Sequence, residues 1–110
     1  MIENLPKSSE YLLAQLYRAF KDKTSNGQSI AQSKMFGSFE NIKRLYLPEF
    51  SDEDVIELIN SLKRADFLDV KYADNVPYFI FLTDKSIATF EQRFRNNLDK
   101  FIDYFAKLKP

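Results

Sequence analysis

Residues 51–90 read SDEDVIELINSLKRADFLDVKYADNVPYFIFLTDKSIATF, and the period of their apolar positions changes twice. Ser51 stands before Asp52, Glu53 and Asp54: an N-cap serine with acids in the first helical turn, Asp54 replacing the longer acid of a capping box. Val55, Leu58, Ile59 and Leu62 then recur at helical spacing, and Ala65, Phe67 and Leu68 carry the apolar surface onward. From Leu68 the period shortens to two. Leu68, Val70 and Tyr72 alternate with Asp69 and Lys71, as in a half-buried strand. Ala73-Asp74-Asn75 is turn chemistry. Val76-Pro77 opens a second strand through Leu82, apolar on both faces and so expected inside a sheet. Thr83 or Asp84 caps a last helix.

In that last helix Ile87, Phe90, Phe94, Leu98, Phe101, Ile102, Phe105 and Leu108 form one narrow apolar band. A single helix over 84–108 is expected, roughly 37 Å long at 1.5 Å per residue, with its later half overhanging the body.

Upstream, Ser8 or Ser9 is expected to cap a first helix with Leu12, Leu13, Leu16, Tyr17 and Phe20 inward and Glu10, Gln15, Arg18, Lys21 and Asp22 off that face. Thr24-Ser25-Asn26-Gly27-Gln28 ends it. Ser29-Ile30-Ala31 reads as a minimal strand flanking the hairpin. A second helical region runs from Ser33 to Leu47, with Gly37-Ser38 as its point of bending or division, and Pro48 stops it.

With 110 residues the chain is long enough for one domain with one core. It has neither cysteine nor histidine, which removes disulfides, thiolate nucleophiles, Cys/His zinc sites and histidine-based catalysis. Two glycines, Gly27 and Gly37, cannot write a phosphate loop or a dinucleotide fingerprint. The acids Asp52, Glu53, Asp54 and Glu57 lack the spacing of a calcium loop. No enzyme activity, metal or cofactor is expected. A small-molecule pocket lined by Phe79, Phe81, Phe90 and Phe94 is the one ligand site conceivable, with core packing the stronger use of those rings. No stretch approaches the roughly 20 apolar residues of a membrane span, and Met1–Lys7 lacks the build of a signal peptide, so the expected location is the cytoplasm. Heavy use of Asn, Lys, Ile, Phe and Tyr hints at an AT-rich bacterial, phage or plasmid genome.

The order of helix, short strand, two helices, strand, turn, strand and long helix resembles the winged-helix class of the helix-turn-helix fold. The closest part is the run Ile59-Asn60-Ser61-Leu62-Lys63-Arg64-Ala65-Asp66-Phe67-Leu68, then the hairpin, then Leu82-Thr83-Asp84-Lys85-Ser86-Ile87. Such domains commonly have glycine where Ala65-Asp66 and Ser86 stand. Within the class the chain is similar to small YjcQ-like proteins of Firmicutes and their phages. The resemblance implies an α+β winged helix, a three-helix core with a small antiparallel sheet over 1–83, plus the long C-terminal helix over 84–110.

Two functions follow from it. In the first, the chain binds double-stranded DNA as a transcriptional or mobile-element regulator. Lys34, Lys43, Arg44, Arg64 and Lys71 neutralise phosphates, with Asn60 and Asn75 near base edges. Leu98, Phe101, Ile102, Phe105 and Leu108 then pair two copies into a homodimer, the alternative being a helix folded back along its own domain. In the second, the third helix of the motif is an acidic docking face, with Asp52, Glu53 and Glu57 engaging a basic protein partner. The resemblance to DNA-binding folds favours the first, which is the leading expectation, and charge favours the second. The chain is neutral, but residues 51–84 hold three basic against eight acidic groups, while 1–50 hold seven against five and 85–110 six against three.

Overall fold

The computed structural model describes residue 2, residues 4–95 and residues 97–109. The chain runs α1 (Lys7–Ser25), α2 (Ile30–Ser33), β1 (Met35–Gly37), α3 (Phe39–Tyr46), α4 (Asp52–Arg64), β2 (Leu68–Ala73), β3 (Val76–Leu82), α5 (Asp84–Phe94) and α6 (Leu98–Leu108). Among the described residues this is an α+β protein of six helices and one antiparallel sheet, ordered β1-β3-β2. The doubly apolar β3 is the central strand, as its composition predicts.

Helix α1 is the hub. It packs against α2, α4, α5 and α6, and Leu12, Leu13, Ala14 and Leu16 are wholly inaccessible. Neither Ser8 nor Ser9 caps it. The helix starts at Lys7, two residues before a Ser8 cap would start it, without a side-chain cap, because proline presets the entry φ and the Ser9 hydroxyl is used elsewhere, 2.7 Å from the Ser61 hydroxyl of α4. Glu10, expected off the apolar face, is 1% exposed. Its carboxylate accepts a 2.6 Å hydrogen bond from the Tyr104 hydroxyl, which is why α6 can cover that side.

The flanking strand lies six residues after its expected start. Ser29-Ile30-Ala31 is not a strand: the Ser29 hydroxyl accepts from the Gln32 amide and caps the one-turn α2, leaving Ile30 in solvent. The strand is Met35–Gly37, with Met35 opposite Phe81 and Gly37 opposite Ile80. Lys23 holds it in place, donating to the Met35 carbonyl with its ammonium 4.1 Å from the centre of the Phe36 ring. Gly37-Ser38 divides the expected helical region. Gly37 takes φ 74°, and Ser38 caps α3 by accepting from the Asn41 amide.

The hairpin turn has two residues, Asp74 and Asn75, both at positive φ (52° and 65°), the geometry whose twist matches the flanking strands. At its other end the hairpin is locked to α4. Asp66 sits at φ 65°, where glycine is common, and a Schellman pair closes the helix: Phe67 N–H to the Leu62 carbonyl and Asp66 N–H to the Lys63 carbonyl. The Thr83-Asp84-Lys85-Ser86 run then reaches back across the junction. Lys85 donates to the Ala65 carbonyl, the Thr83 hydroxyl to that of Asp66, and the Ser86 hydroxyl to that of Phe67. Ser86 is fully buried, so its hydroxyl has a use that glycine would lack.

The last helix is two helices. Arg95 adopts the left-handed conformation (φ 47°, ψ 45°), and Asn97 caps α6 by accepting from the Lys100 amide. Instead of overhanging, α6 folds back on α1, and the molecule measures 40 × 30 × 23 Å. Aromatic rings cement the return: Phe105 stacks on Tyr11 (5.5 Å between centroids), Phe101 meets Tyr17 edge-on (5.6 Å), and Tyr104 lies 4.9 Å from Phe94.

Candidate binding surfaces

The expected nucleic-acid residues are spread along the length of the sheet and over α3 and α4. Lys34 precedes β1 where β3 ends, its carbonyl accepting from the Leu82 amide, whereas Asn75 lies in the turn where β3 begins. The seven residues of β3 separate them by about 20 Å.

Most of the cations are already engaged with acids. Lys34 pairs with Asp84, Lys43 with Asp52 across the α3–α4 corner at 2.9 Å, and Arg64 with Glu57 at 2.9 Å along α4. Arg44 donates to the Asn41 side chain. Such exposed pairs contribute only ~0–1 kcal/mol each and exchange easily. The net charge of the face does not depend on which pairs form. From Phe39 to Arg64 four basic groups (Lys43, Arg44, Lys63, Arg64) stand against six acidic ones (Glu40, Glu49, Asp52, Glu53, Asp54, Glu57).

Asn60 faces the hairpin. Its side-chain oxygen accepts a 2.7 Å bond from the Tyr72 hydroxyl, and Lys63 lies over the same ring. Burial by these neighbours pushes the Tyr72 phenol above its ordinary pKa, against the opposing pull of Arg64. Ser61 turns inward to Ser9. Lys71 is exposed on β2 and forms no ion pair among the described residues. At the acidic end of α4, Asp52, Glu53, Asp54 and Glu57 are all exposed, and the Ser51 hydroxyl accepts from the Asp54 amide. Among the described residues no group of three or more acids is placed to hold a metal ion, so this cluster is a charged face.

The four phenylalanines of the conceivable pocket are on two sides of the sheet. Ile80 and Leu82 point into the core, so Phe79 and Phe81 lie on the outer face, stacked on each other at 4.7 Å beside the exposed Met35 and Tyr78. Phe90 and Phe94 are buried under α6. The outer aromatic strip was readable only as the second apolar face of β3, which looks the same whether it is covered or open.

The five residues expected to pair two copies divide as well. Phe101 and Leu108 are buried in the chain's own core and Phe105 lies on Tyr11, while Leu98 and Ile102 are 67% and 46% exposed. The exposed pair borders a groove of about 420 Å³ between α1 and the α5–α6 junction, also lined by Tyr17, Arg18, Phe94 and Phe101. Burial, with a smaller contribution from Glu91, raises the Tyr17 phenol to about 12. Among the described residues no helix is long and apolar enough to cross a membrane.

Comparison with protein-family models, with curated proteins and with solved structures found no match.

Proposed function

We propose that this chain is a non-enzymatic winged-helix module that uses the acidic first turns of α4 to dock a basic protein surface. The order of α1, β1, α3, α4, β2 and β3, with a two-residue turn as the wing, supports the winged-helix reading. The carrying observation is the charge of the α3–α4 face. Four acids against two cations in α4, and six against four from Phe39 to Arg64, make the element that would enter a major groove repel phosphate, and no rearrangement of ion pairs alters that sum. Asp52, Glu53 and Glu57 are the contacts, and a cytoplasmic regulator with an exposed basic face is the chemistry they fit.

Direct DNA binding is the second reading, favoured by Lys71 and Asn75 at the wing and by Arg44, which no acid neutralises among the described residues. Fluorescence anisotropy with mixed-sequence duplex DNA separates the two. Under the first reading the native chain does not bind at low salt, and the Asp52→Lys, Glu53→Lys, Glu57→Lys variant gains affinity. Native binding that falls roughly 10³-fold between about 50 and 200 mM salt overturns it and establishes a DNA-binding protein. In that case Lys43→Glu with Arg44→Glu should abolish the binding in a folded chain.

A further inference from the structure

The α5–α6 junction combines three features that belong together only if α6 can be exchanged between chains. The first is phase. At 100° per residue, Ile87, Phe90, Phe94, Leu98, Phe101, Ile102, Phe105 and Leu108 stay within an arc of about 120° from one helix through the next, as though the helix were never broken. A chain built only for a hairpin has no need to keep that phase across the bend.

The second is the bend itself. It turns on Arg95 at φ 47°, a conformation costly for a side chain that has a Cβ and lacks the short polar group of Asn or Asp. Neither glycine nor proline occurs between Phe94 and Leu98, so a continuous helix there meets only the modest propensity cost of Asn96-Asn97.

The third is what the hairpin leaves uncovered. Folded back, α6 buries Phe101 and Leu108 and lays Tyr104 and Phe105 on its own domain. Leu98 and Ile102, one helical turn apart at the start of α6, remain in solvent. In a straight helix they extend the stripe of Phe94.

We propose that this chain forms a dimer by exchanging α6. Residues 84–108 straighten, each α6 docks on the other copy's α1, and Leu98 and Ile102 pack against their counterparts where the two helices cross. Every contact α6 now makes, including Tyr11 with Phe105 and Glu10 with Tyr104, is remade between chains. The new interface is the helix crossing, and the Arg95 strain is released. This explains how all five residues expected to pair two copies can do so while three of them pack in the monomer's core. It is independent of whether the α4 face meets protein or DNA.

The absence of native cysteine makes a direct test possible. Chains carrying Tyr11→Cys are mixed with chains carrying Phe105→Cys, incubated from micromolar to millimolar concentration, and oxidised. Exchange yields a covalent dimer of one chain of each kind, in an amount that rises with concentration. Sedimentation of the unmodified chain should show the matching monomer–dimer equilibrium. Arg95→Gly both relaxes the bend and weakens a straight helix, so it should reduce association by about tenfold or more. This hinge variant leaves the docked rings untouched, and it decides the matter if the cysteine variants fail to fold. A chain that stays monomeric at millimolar concentration overturns the proposal. So does a dimer that gives no mixed disulfide, or an association unchanged by Arg95→Gly.

Discussion

Helices α4 and α5 both end on a residue other than glycine in the left-handed region, Asp66 at φ 65° and Arg95 at φ 47°. Aspartate tolerates that region because its short side chain bonds locally, while arginine gains nothing there. Beyond Asp66 the junction is closed by the Schellman pair and three side-chain donors from the 83–86 run. At Arg95 the described local bonds are its own amide to the Glu91 carbonyl, the Asn97 amide to that of Phe94, and the Asn97 cap on the Lys100 amide. Side chains from the distant 83–86 run clamp the first corner, while past the second the aromatic docking of α6 on α1 sets the course of the chain.

The sharpest way to break that contrast is to remove the docking platform. Phe90 is fully buried and touches Tyr17, Phe94, Phe101 and Tyr104. Phe90→Ala should cost about 3–5 kcal/mol in urea unfolding, with α6 amides exchanging with solvent before those of β2.

A finer comparison removes one hydroxyl from each corner. Tyr104→Phe deprives the buried Glu10 carboxylate of the shorter of its two described donors, leaving the Ile2 amide at 3.4 Å, at a cost of about 1–3 kcal/mol. Ser86→Ala should cost only about 1 kcal/mol, since the Phe67 carbonyl still receives the Thr83 amide. Hydrogen exchange localises the difference: the tyrosine variant loosens α6, and the serine variant loosens the α4–β2 turn. Equal loosening of both regions would mean that the corners are not independent.

Glycine substitutions give smaller effects of the opposite sign. Arg95→Gly should raise the monomer's stability by up to about 1 kcal/mol, and Asp66→Gly by less, because aspartate pays less for its conformation. Paired thermal melts at low concentration would rank them.

At neutral pH the last effect vanishes, because it is an alkaline pH dependence. The Tyr17 phenol is raised to about 12 by burial, first of all, and by Glu91. Its folded pKa exceeds the unfolded value near 10, so the stabilisation is complete below about pH 10 and is lost as pH rises toward 12. Burial and the Glu10 carboxylate push Tyr104 in the same direction. Urea midpoints between pH 9 and 12 should therefore fall less steeply for Tyr17→Phe than for the native chain.

What could be read in the residues alone follows from which forces are local. Helix α4, the hairpin and its turn were legible because Ser51, Asp74-Asn75 and Thr83 act on backbone within a few residues. The third strand was misplaced because Met35–Gly37 is short and its apolar residues also fit a helical period, while Lys23, which positions it, lies twelve residues away. The break at Arg95 was invisible for the reason given above: the apolar phase runs through it. Glu10 was read as a surface acid because its partner is in the last helix. Of the binding residues, the order in sequence showed the chemistry available but not that Lys34 and Asn75 lie at opposite ends of one strand, nor that Lys43 and Arg64 have acids within 2.9 Å.

Glu10 and Tyr104 are 94 residues apart in the chain. On a ribosome adding about 5–20 residues each second, roughly 5–20 s pass between the appearance of that carboxylate and of the Tyr104 hydroxyl that donates to it. Throughout that interval the flank of α1 with Tyr11, Tyr17 and Glu10 is open, and the first α6 to reach it from any nascent neighbour fits as well as its own. Polysome spacing, as much as affinity, would then set how many chains close on themselves and how many close on each other.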